Sequence, residues 1–422
     1  MKIEGVIYSI LFAILGLFII SRIWKTHKTF VLVGAFSIKM VGAYVLTALF
    51  TYYYTDQSTS DIWRFFNDGL ILKEVFFNNP SDFFRILFNL DYDSVLFREI
   101  YFDKMNSWNK PFESSFYNDN HIMIKINALI ALFSFGFVEV HSVVFSILGF
   151  VGLLLLIDSL IPIQYRSSAL ILTCFYPSWL IWISGGLKET LLIFGAGLFI
   201  SGIWRFEKKN PLISIIKMSV GGLTLISVKI YFVAFLIPAL LAYQIGRQFK
   251  YSALTMICSW LLLVSCCFMI FSTLVGNPAI YIASKQQEFI THTQFTNPGS
   301  GFSMKPIEPE LTSLVKQAPI ALMNTILKPF PWAVSVSPEW LMVLENLYLF
   351  FLMLLSAYGI RKYPINYAWP LWLLFLIVPF LILTGTVTPV FGAIMRYRSP
   401  VILIFMISIT PFIHPLIKKY FK

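Results

Sequence analysis

Between Ile7 and Ile20 the chain carries no charged residue, and stretches of this kind return along its whole length. A helix needs about 20 apolar residues to cross a bilayer, whereas a membrane β-barrel shows shorter segments of alternating polarity. The recurring runs therefore predict an all-α, polytopic membrane protein. Charged residues make up only 13% of the chain and hydrophobic ones 58%, whereas a soluble domain is about 25% charged.

The net charge of +11 raises nucleic acid as a partner. The basic residues, however, gather in short turns between apolar runs, where they orient a membrane protein. No nucleic-acid partner is expected. Cys174, Cys258, Cys266 and Cys267 all lie inside apolar runs, so neither a disulfide framework nor a zinc site is indicated. The five histidines are scattered without metal-ligand spacing. The first apolar run lacks a small-residue cleavage site and reads as a retained helix.

The basic turns set a topology. They are Arg22, Lys25 and Lys28; Arg166; Arg205, Lys208 and Lys209; Arg247 and Lys250; Arg361 and Lys362; and Lys418, Lys419 and Lys422. Placing all of them in the cytoplasm requires an outside N-terminus and about eleven crossings. The expected spans are 4–22, 29–53, 139–161, 167–184, 187–205, 211–228, 230–246, 252–275, 340–360, 366–385 and 399–416. Residues 121–137 are expected along the outer surface, because a crossing there would put three basic residues of "WRFEKKN" (Trp204 to Asn210) outside. The whole chain, 1–422, reads as one integral membrane domain with long outer segments at 54–120 and 276–338. Loops of that length usually build function.

Four stretches could carry chemistry. "STSDIWRFFNDG" (Ser58 to Gly69) places Asp61 and Asp68 seven residues apart, two helical turns and hence one face, with Asp56 just before them. A carboxylate in a partly dry cleft can serve as a general base, while an Asp in a first helical turn is equally well explained by the helix dipole. "YPSWLIWISGGLKETLL" (Tyr176 to Leu192) turns at Gly185 and Gly186 and brings Lys188 and Glu189 to the same outer face. Lys229, between two short apolar runs, suits a phosphate bound as a point charge. "GAIMRYRSP" (Gly392 to Pro400) sets Arg396 and Arg398 outside, against the positive-inside trend. Two guanidiniums there suit a lipid phosphate or diphosphate, and pairing with Glu339 or Glu345 explains them nearly as well. Lys39, mid-helix, is expected to pair with a buried carboxylate.

This order of features resembles the polytopic GT-C superfamily of glycosyltransferases, from about Phe30 to the C-terminus. "SDIWRFFNDG" is similar to the family's Asp in the first outer loop, and "FYPSWLIWISGGLKETLL" to its Pro-containing helix rising to an acidic residue. Lys229 resembles a later basic residue, and Arg396, Tyr397, Arg398 and Pro400 a late Arg-Tyr-Arg-x-Pro run. "PFPW" (Pro329 to Trp332) with "LENLYLF" (Leu344 to Phe350) is similar to a set of bacterial members. The chain departs from the family in having Ile62 after Asp61, Ile230 and Tyr231 after Lys229, and an added helix at 4–22.

The resemblance implies a polyprenyl-phosphate sugar donor, a glycan, lipid or protein acceptor, and an active site facing out of the bacterial inner membrane. Asp61 or Asp68 would deprotonate the acceptor, Glu189 would position it or hold a divalent cation (Mg or Mn) in metal-using branches, and Lys188, Lys229, Arg396 and Arg398 would hold substrate phosphate. The metal requirement stays open. A flippase or transporter of lipid-linked sugars is the rival reading from another class, and it looks for charges within spans and for repeat symmetry. Only Lys39 and Lys217 lie mid-helix, and no repeat is visible. An oligosaccharide polymerase or ligase is a second rival.

Overall fold

The computed structural model describes residues 2–418, apart from 54–56, 58–59, 91–93, 110–117, 207–209, 251, 335, 337–338 and 363–367. Asp56, Lys208, Lys209, Lys419 and Lys422 lie outside the described residues. The described chain is all-helical. Its elements are α1 (Ile3–Ile23), α2 (Thr29–Ala48), α3 (Asp61–Asn78), α4 (Pro80–Leu87), α5 (Val95–Ile100), α6 (Asn120–Ala131), α7 (Val138–Leu160), α8 (Ile163–Cys174) and α9 (Pro177–Leu180). They continue with α10 (Lys188–Phe206), α11 (Pro211–Gln248), α12 (Ala253–Leu274), α13 (Pro278–Thr296), α14 (Leu311–Ile326), α15 (Glu339–Lys362), α16 (Ala368–Val387) and α17 (Phe391–Ile417).

Among the described residues, seven helices are long and apolar enough to cross a membrane: α1, α2 with its continuation to Tyr53, α7, α11, α12, α15 and α17. A shorter apolar stretch, Leu371–Val387, lies in α16. This is a multi-pass helical membrane protein.

The structure departs from the expected spans in three places. The expected span 167–184 is interrupted after Cys174, where Pro177 opens the four-residue α9; proline lacks the N–H that would carry the helix through. The expected pair 211–228 and 230–246 forms one element of 38 residues, broken only at Lys229 (φ −152°, ψ 90°). Both halves form, and Lys229, the one residue expected between them, is extended. The last helix starts at Phe391 rather than 399, so Arg396 and Arg398 lie within it.

The chain divides into two compact units, residues 1–159 with 179–229 and residues 160–178 with 230–422. In the first unit, α7, α10 and the first half of α11 approach through glycines. A methyl on Gly152 would sit 2.6 Å from the Ile193 carbonyl oxygen, and one on Gly202 would sit 2.9 Å from that of Ser214. Gly197 faces the Gly152 backbone, and Gly195 meets Gly221. With no apolar driving force between helices in lipid, such close backbone approach is what holds them together. α3 packs on α6 in the same way, Gly69 lying against Asn127 and Ala128.

In the second unit Gly385 of α16 meets the Ala321 carbonyl of α14, and Gly359 of α15 meets that of Phe412 in α17. Gln286 of α13 reaches across to α16, donating to the Thr386 carbonyl at 2.9 Å and accepting from the Ile307 N–H at 2.8 Å. The segment after α13 is thereby pinned, and Gly301 bridges to Val390 just before α17. Helix α12 fully buries only Met256, and it touches its neighbours through Trp260 on Phe375 and Phe271 on Tyr281.

These glycines are separable by experiment. Gly34 of α2 has open space where a methyl would go, so Gly34→Ala stabilises by about 0.5–1 kcal/mol through lower chain entropy. Gly197→Ala drives a methyl into the Gly152 backbone and costs about 1–3 kcal/mol. Thermal unfolding in detergent is expected to raise or hold the melting temperature for the first and lower it for the second.

Candidate functional site

The polar groups of the first unit gather where α3 meets the turn before α10. Ile62 and Phe66 of α3 share an apolar cluster with Leu46, Phe50, Val138 and Leu187. Leu187 of that cluster precedes Lys188, whose ammonium reaches the Phe65 ring of α3 at 5.7 Å. The turn is fixed from several sides. Gly185 takes a left-handed φ of 67°, its N–H donates to Ser146 Oγ at 3.2 Å, and its carbonyl accepts from Thr190 Oγ1 at 3.1 Å.

Lys39 supports the same turn from α2. Its buried ammonium donates to the carbonyls of Trp179 (2.5 Å) and Ile183 (2.7 Å) and lies 3.6 Å from the centre of the Trp179 ring. The carbonyl end of a short helix is a favourable place for a cation. A buried lysine in this protein therefore answers backbone oxygens, where the sequence suggested a carboxylate.

α10 opens on two ion pairs built from neighbouring residues. Lys188 Nζ lies 2.6 Å from Asp119 Oδ2, with the side chains 12% and 26% exposed. Glu189 Oε1 lies 3.0 Å from Lys229 Nζ, with the side chains 0% and 5% exposed. Lys229 is also the residue at which α11 breaks, and its extended backbone accompanies the turn of the side chain toward Glu189. The Lys188 ammonium is 5.7 Å from the Phe65 ring of α3. Asp119–Lys188 and Glu189–Lys229 are thus two ion pairs built on neighbouring residues of α10, the first half-open and the second buried. Asp119 was not read from the sequence: a lone acid in a polar loop has no periodicity or motif to mark it.

The two acids of α3 differ in surroundings. Asp68 is fully buried and accepts from the backbone N–H groups of Asn106 and Ser107, both at 2.8 Å, while Arg64 donates to the Asn106 carbonyl at 3.0 Å. Burial pushes the Asp68 carboxyl above its ordinary range, and the two N–H groups pull it part of the way back. Asp68 therefore clamps the loop whose Trp108 stacks on Phe102 and His121. Asp61 is half-buried in the first turn of α3. In α3 and the segments packed on it, Ser60 Oγ, Trp63 Nε1, Arg64 Nε, Ser107 Oγ and Trp182 Nε1 are buried without a hydrogen-bond partner among the described residues. Unfilled hydrogen-bonding capacity of this kind costs free energy unless water or a ligand meets it.

Within α17 of the second unit, Arg396 and Arg398 point different ways, as residues about 200° apart on a helix must. Arg398 is fully buried and paired with Glu345 at 2.7 Å, and it also donates to the Thr325 carbonyl. Glu345 Oε2 accepts in addition from the Ser178 N–H (3.1 Å) and hydroxyl (2.6 Å). Arg396 stays half-exposed, its guanidinium 5.7 Å from the Tyr397 ring. No group of three or more His, Cys, Asp or Glu side chains suited to a metal ion occurs among the described residues.

Comparison with known protein families, with curated proteins and with solved structures finds no match to this chain.

Two outcomes follow from the buried charges. Glu345→Gln leaves the Arg398 guanidinium without a counter-charge and costs about 3–5 kcal/mol, whereas joint replacement of Glu345 and Arg398 by Met recovers most of the loss. Thermal unfolding of the two variants checks this, and a double variant no better than the single one would refute it. Lys125 of α6, hydrogen-bonded to Asn89, is lowered by burial from 10.5 to about 8. Between those values the unfolded chain holds the extra proton, so stability rises with pH from about 8 to about 10.5. The rise is expected in the wild type and absent in Lys125→Met.

Proposed function

We propose that this protein is a membrane glycosyltransferase. It transfers a sugar from a polyprenyl-phosphate donor to an acceptor hydroxyl at the outer face of the bacterial inner membrane. The observation that carries the reading is the two ion pairs at the start of α10, with the Lys188 ammonium 5.7 Å from the Phe65 ring of the helix that bears Asp61. Carboxylates and ammonium groups in one partly dry site are the groups such a transfer uses.

Asp61 takes the proton of the acceptor hydroxyl. The acceptor oxygen attacks the anomeric carbon, the bond from that carbon to the phosphate oxygen breaks, and its electron pair leaves with the lipid phosphate. One displacement of this kind inverts the anomeric centre. Lys188, of the half-open pair, turns from Asp119 to the leaving phosphate and stabilises its developing charge, while the buried Glu189–Lys229 pair holds the start of α10 in place. Arg398 is committed to Glu345 and takes no part. The Arg398–Glu345 pair within apolar helices favours a second reading, a flippase of lipid-linked sugars, since charges at membrane depth mark transport paths.

The deciding experiment offers purified protein a mixture of labelled polyprenyl-phosphate sugars. Wild type is expected to transfer sugar, and Asp61→Asn to lose about 10²–10⁴-fold in rate at equal yield. Normal transfer by Asp61→Asn would remove Asp61 as base. Translocation of the lipid by wild type without transfer would put the flippase reading in its place.

A further inference from the structure

The segment between α2 and α7 carries an apolar surface that sugar transfer does not use. Its helix α4 has three distinct edges. Phe83 and Ile86 are buried. Asp82 and Arg85, 3.4 Å apart, make a polar edge. Asp82 also accepts from the Tyr101 hydroxyl at 2.8 Å, and the Arg85 guanidinium lies 4.8 Å from the Phe97 ring. The third edge is aromatic and exposed. Phe84 and Phe88 are 47% and 65% exposed, and Phe77, at the end of α3, is 65% exposed. Their rings follow one another through Phe76, from Phe77 to Phe84 to Phe88, with successive centroids 5.3, 6.3 and 6.4 Å apart.

Contiguous exposed apolar surface marks a contact with protein or with membrane. Area favours the membrane. At about 200 Å² per side chain, the three phenylalanines offer on the order of 350 Å², short of the ~800 Å² that each partner brings to a stable protein interface. Depth points the same way. The turn after α6 rests on α1: the Phe133 and Phe12 rings stack with centroids 5.6 Å apart, and the Phe133 carbonyl accepts from the Tyr8 hydroxyl at 2.9 Å. Phe135, 76% exposed, stands 5.4 Å from the Tyr8 ring. Phe12 lies about 13 Å along α1 from Ile3, so this turn sits below the level at which that span enters the bilayer. Back along α6, Lys125 is about 9 Å from Ala131 and donates to Asn89 Oδ1, in the turn that follows α4. At any tilt of α6, so short a rise leaves the end of α4 near the level where α1 enters.

We propose that the aromatic edge of α4, with Phe77, is inserted into one leaflet of the bilayer at headgroup depth. Eight residues of helix reach only about 12 Å, so α4 lies along the surface and does not cross. Interfacial helices of this kind bury an apolar face about 5–10 Å deep and keep a polar edge out of the lipid. The inference rests on α1 as a span and is independent of sugar transfer.

Spin labels test this in the full chain with its four cysteines replaced by alanine, reconstituted in phosphatidylcholine vesicles. Labels attached through Phe84→Cys and Phe88→Cys are compared with Leu11→Cys, on the exposed side of α1, and Lys25→Cys, in an exposed turn. Collision with oxygen, which concentrates in lipid, is set against collision with a water-soluble nickel chelate. The oxygen-to-nickel ratio at positions 84 and 88 is expected to stand severalfold above that at position 25 and to approach that at position 11. Phe77→Cys, at the end of α3, gives the same reading should the α4 variants fail to fold. A ratio no higher than at position 25 would place the face in water and overturn the proposal. Labels shielded from both reagents would put protein over the face, a second copy of this chain included, and would overturn it equally.

Discussion

A buried charge among apolar helices must be answered by an opposite charge or by oriented dipoles, and much of this structure follows from that requirement. Uncompensated, one such group costs several kcal/mol. Glu189 and Lys229 answer each other at 3.0 Å, Arg398 and Glu345 at 2.7 Å, and Lys39 is answered by two carbonyl oxygens. Each pairing joins distant parts of the sequence, so each also fixes how its elements pack. The Glu189–Lys229 pair ties the start of α10 to the break in α11, and Lys39 holds the turn that brings α10 to that place.

Close backbone approach makes such pairings reachable. A lysine or glutamate side chain spans only a few ångströms, so helices separated by large residues on both sides could not be bridged by one ion pair. Gly152, Gly195, Gly197 and Gly202 remove that bulk along α7 and α10, and Gly359 and Gly385 do so in the second unit. The small residues are therefore not independent of the charged ones. They set the distance at which a buried carboxylate and ammonium can meet.

Spanning helices were the most legible part of the sequence, because apolar run length depends only on bilayer thickness. α1, α2, α7, α12 and α15 fall within two residues of their expected bounds at nearly every end. What failed to be legible depended on contacts made elsewhere. Lys229 looked like the tip of a hairpin, since a charge between two apolar runs normally leaves the membrane; Glu189 allows it to stay buried instead. Arg396 and Arg398 looked like a matched pair because they are two residues apart in a supposed loop. The helix extends through them, and the alternation that would unite them on a strand divides them on a helix. Asp119 gave no signal at all, being marked only by the partner that folding brings to it.

The two acids of α3 show how far spacing alone can be taken. Seven residues put Asp61 and Asp68 on one side of a helix, and by that measure they are interchangeable. Their surroundings are not. Both oxygens of Asp68 are engaged by backbone N–H groups of the 106–107 segment, so taking up a proton from a substrate would break a contact that holds the loop. Its raised proton affinity comes from burial, which equally denies a substrate access to it. Asp61 sits half-buried in the first turn, at the positive end of the helix dipole. A base must both reach its substrate and survive being protonated, and burial together with its loop contacts makes Asp68 the poorer fit to those conditions.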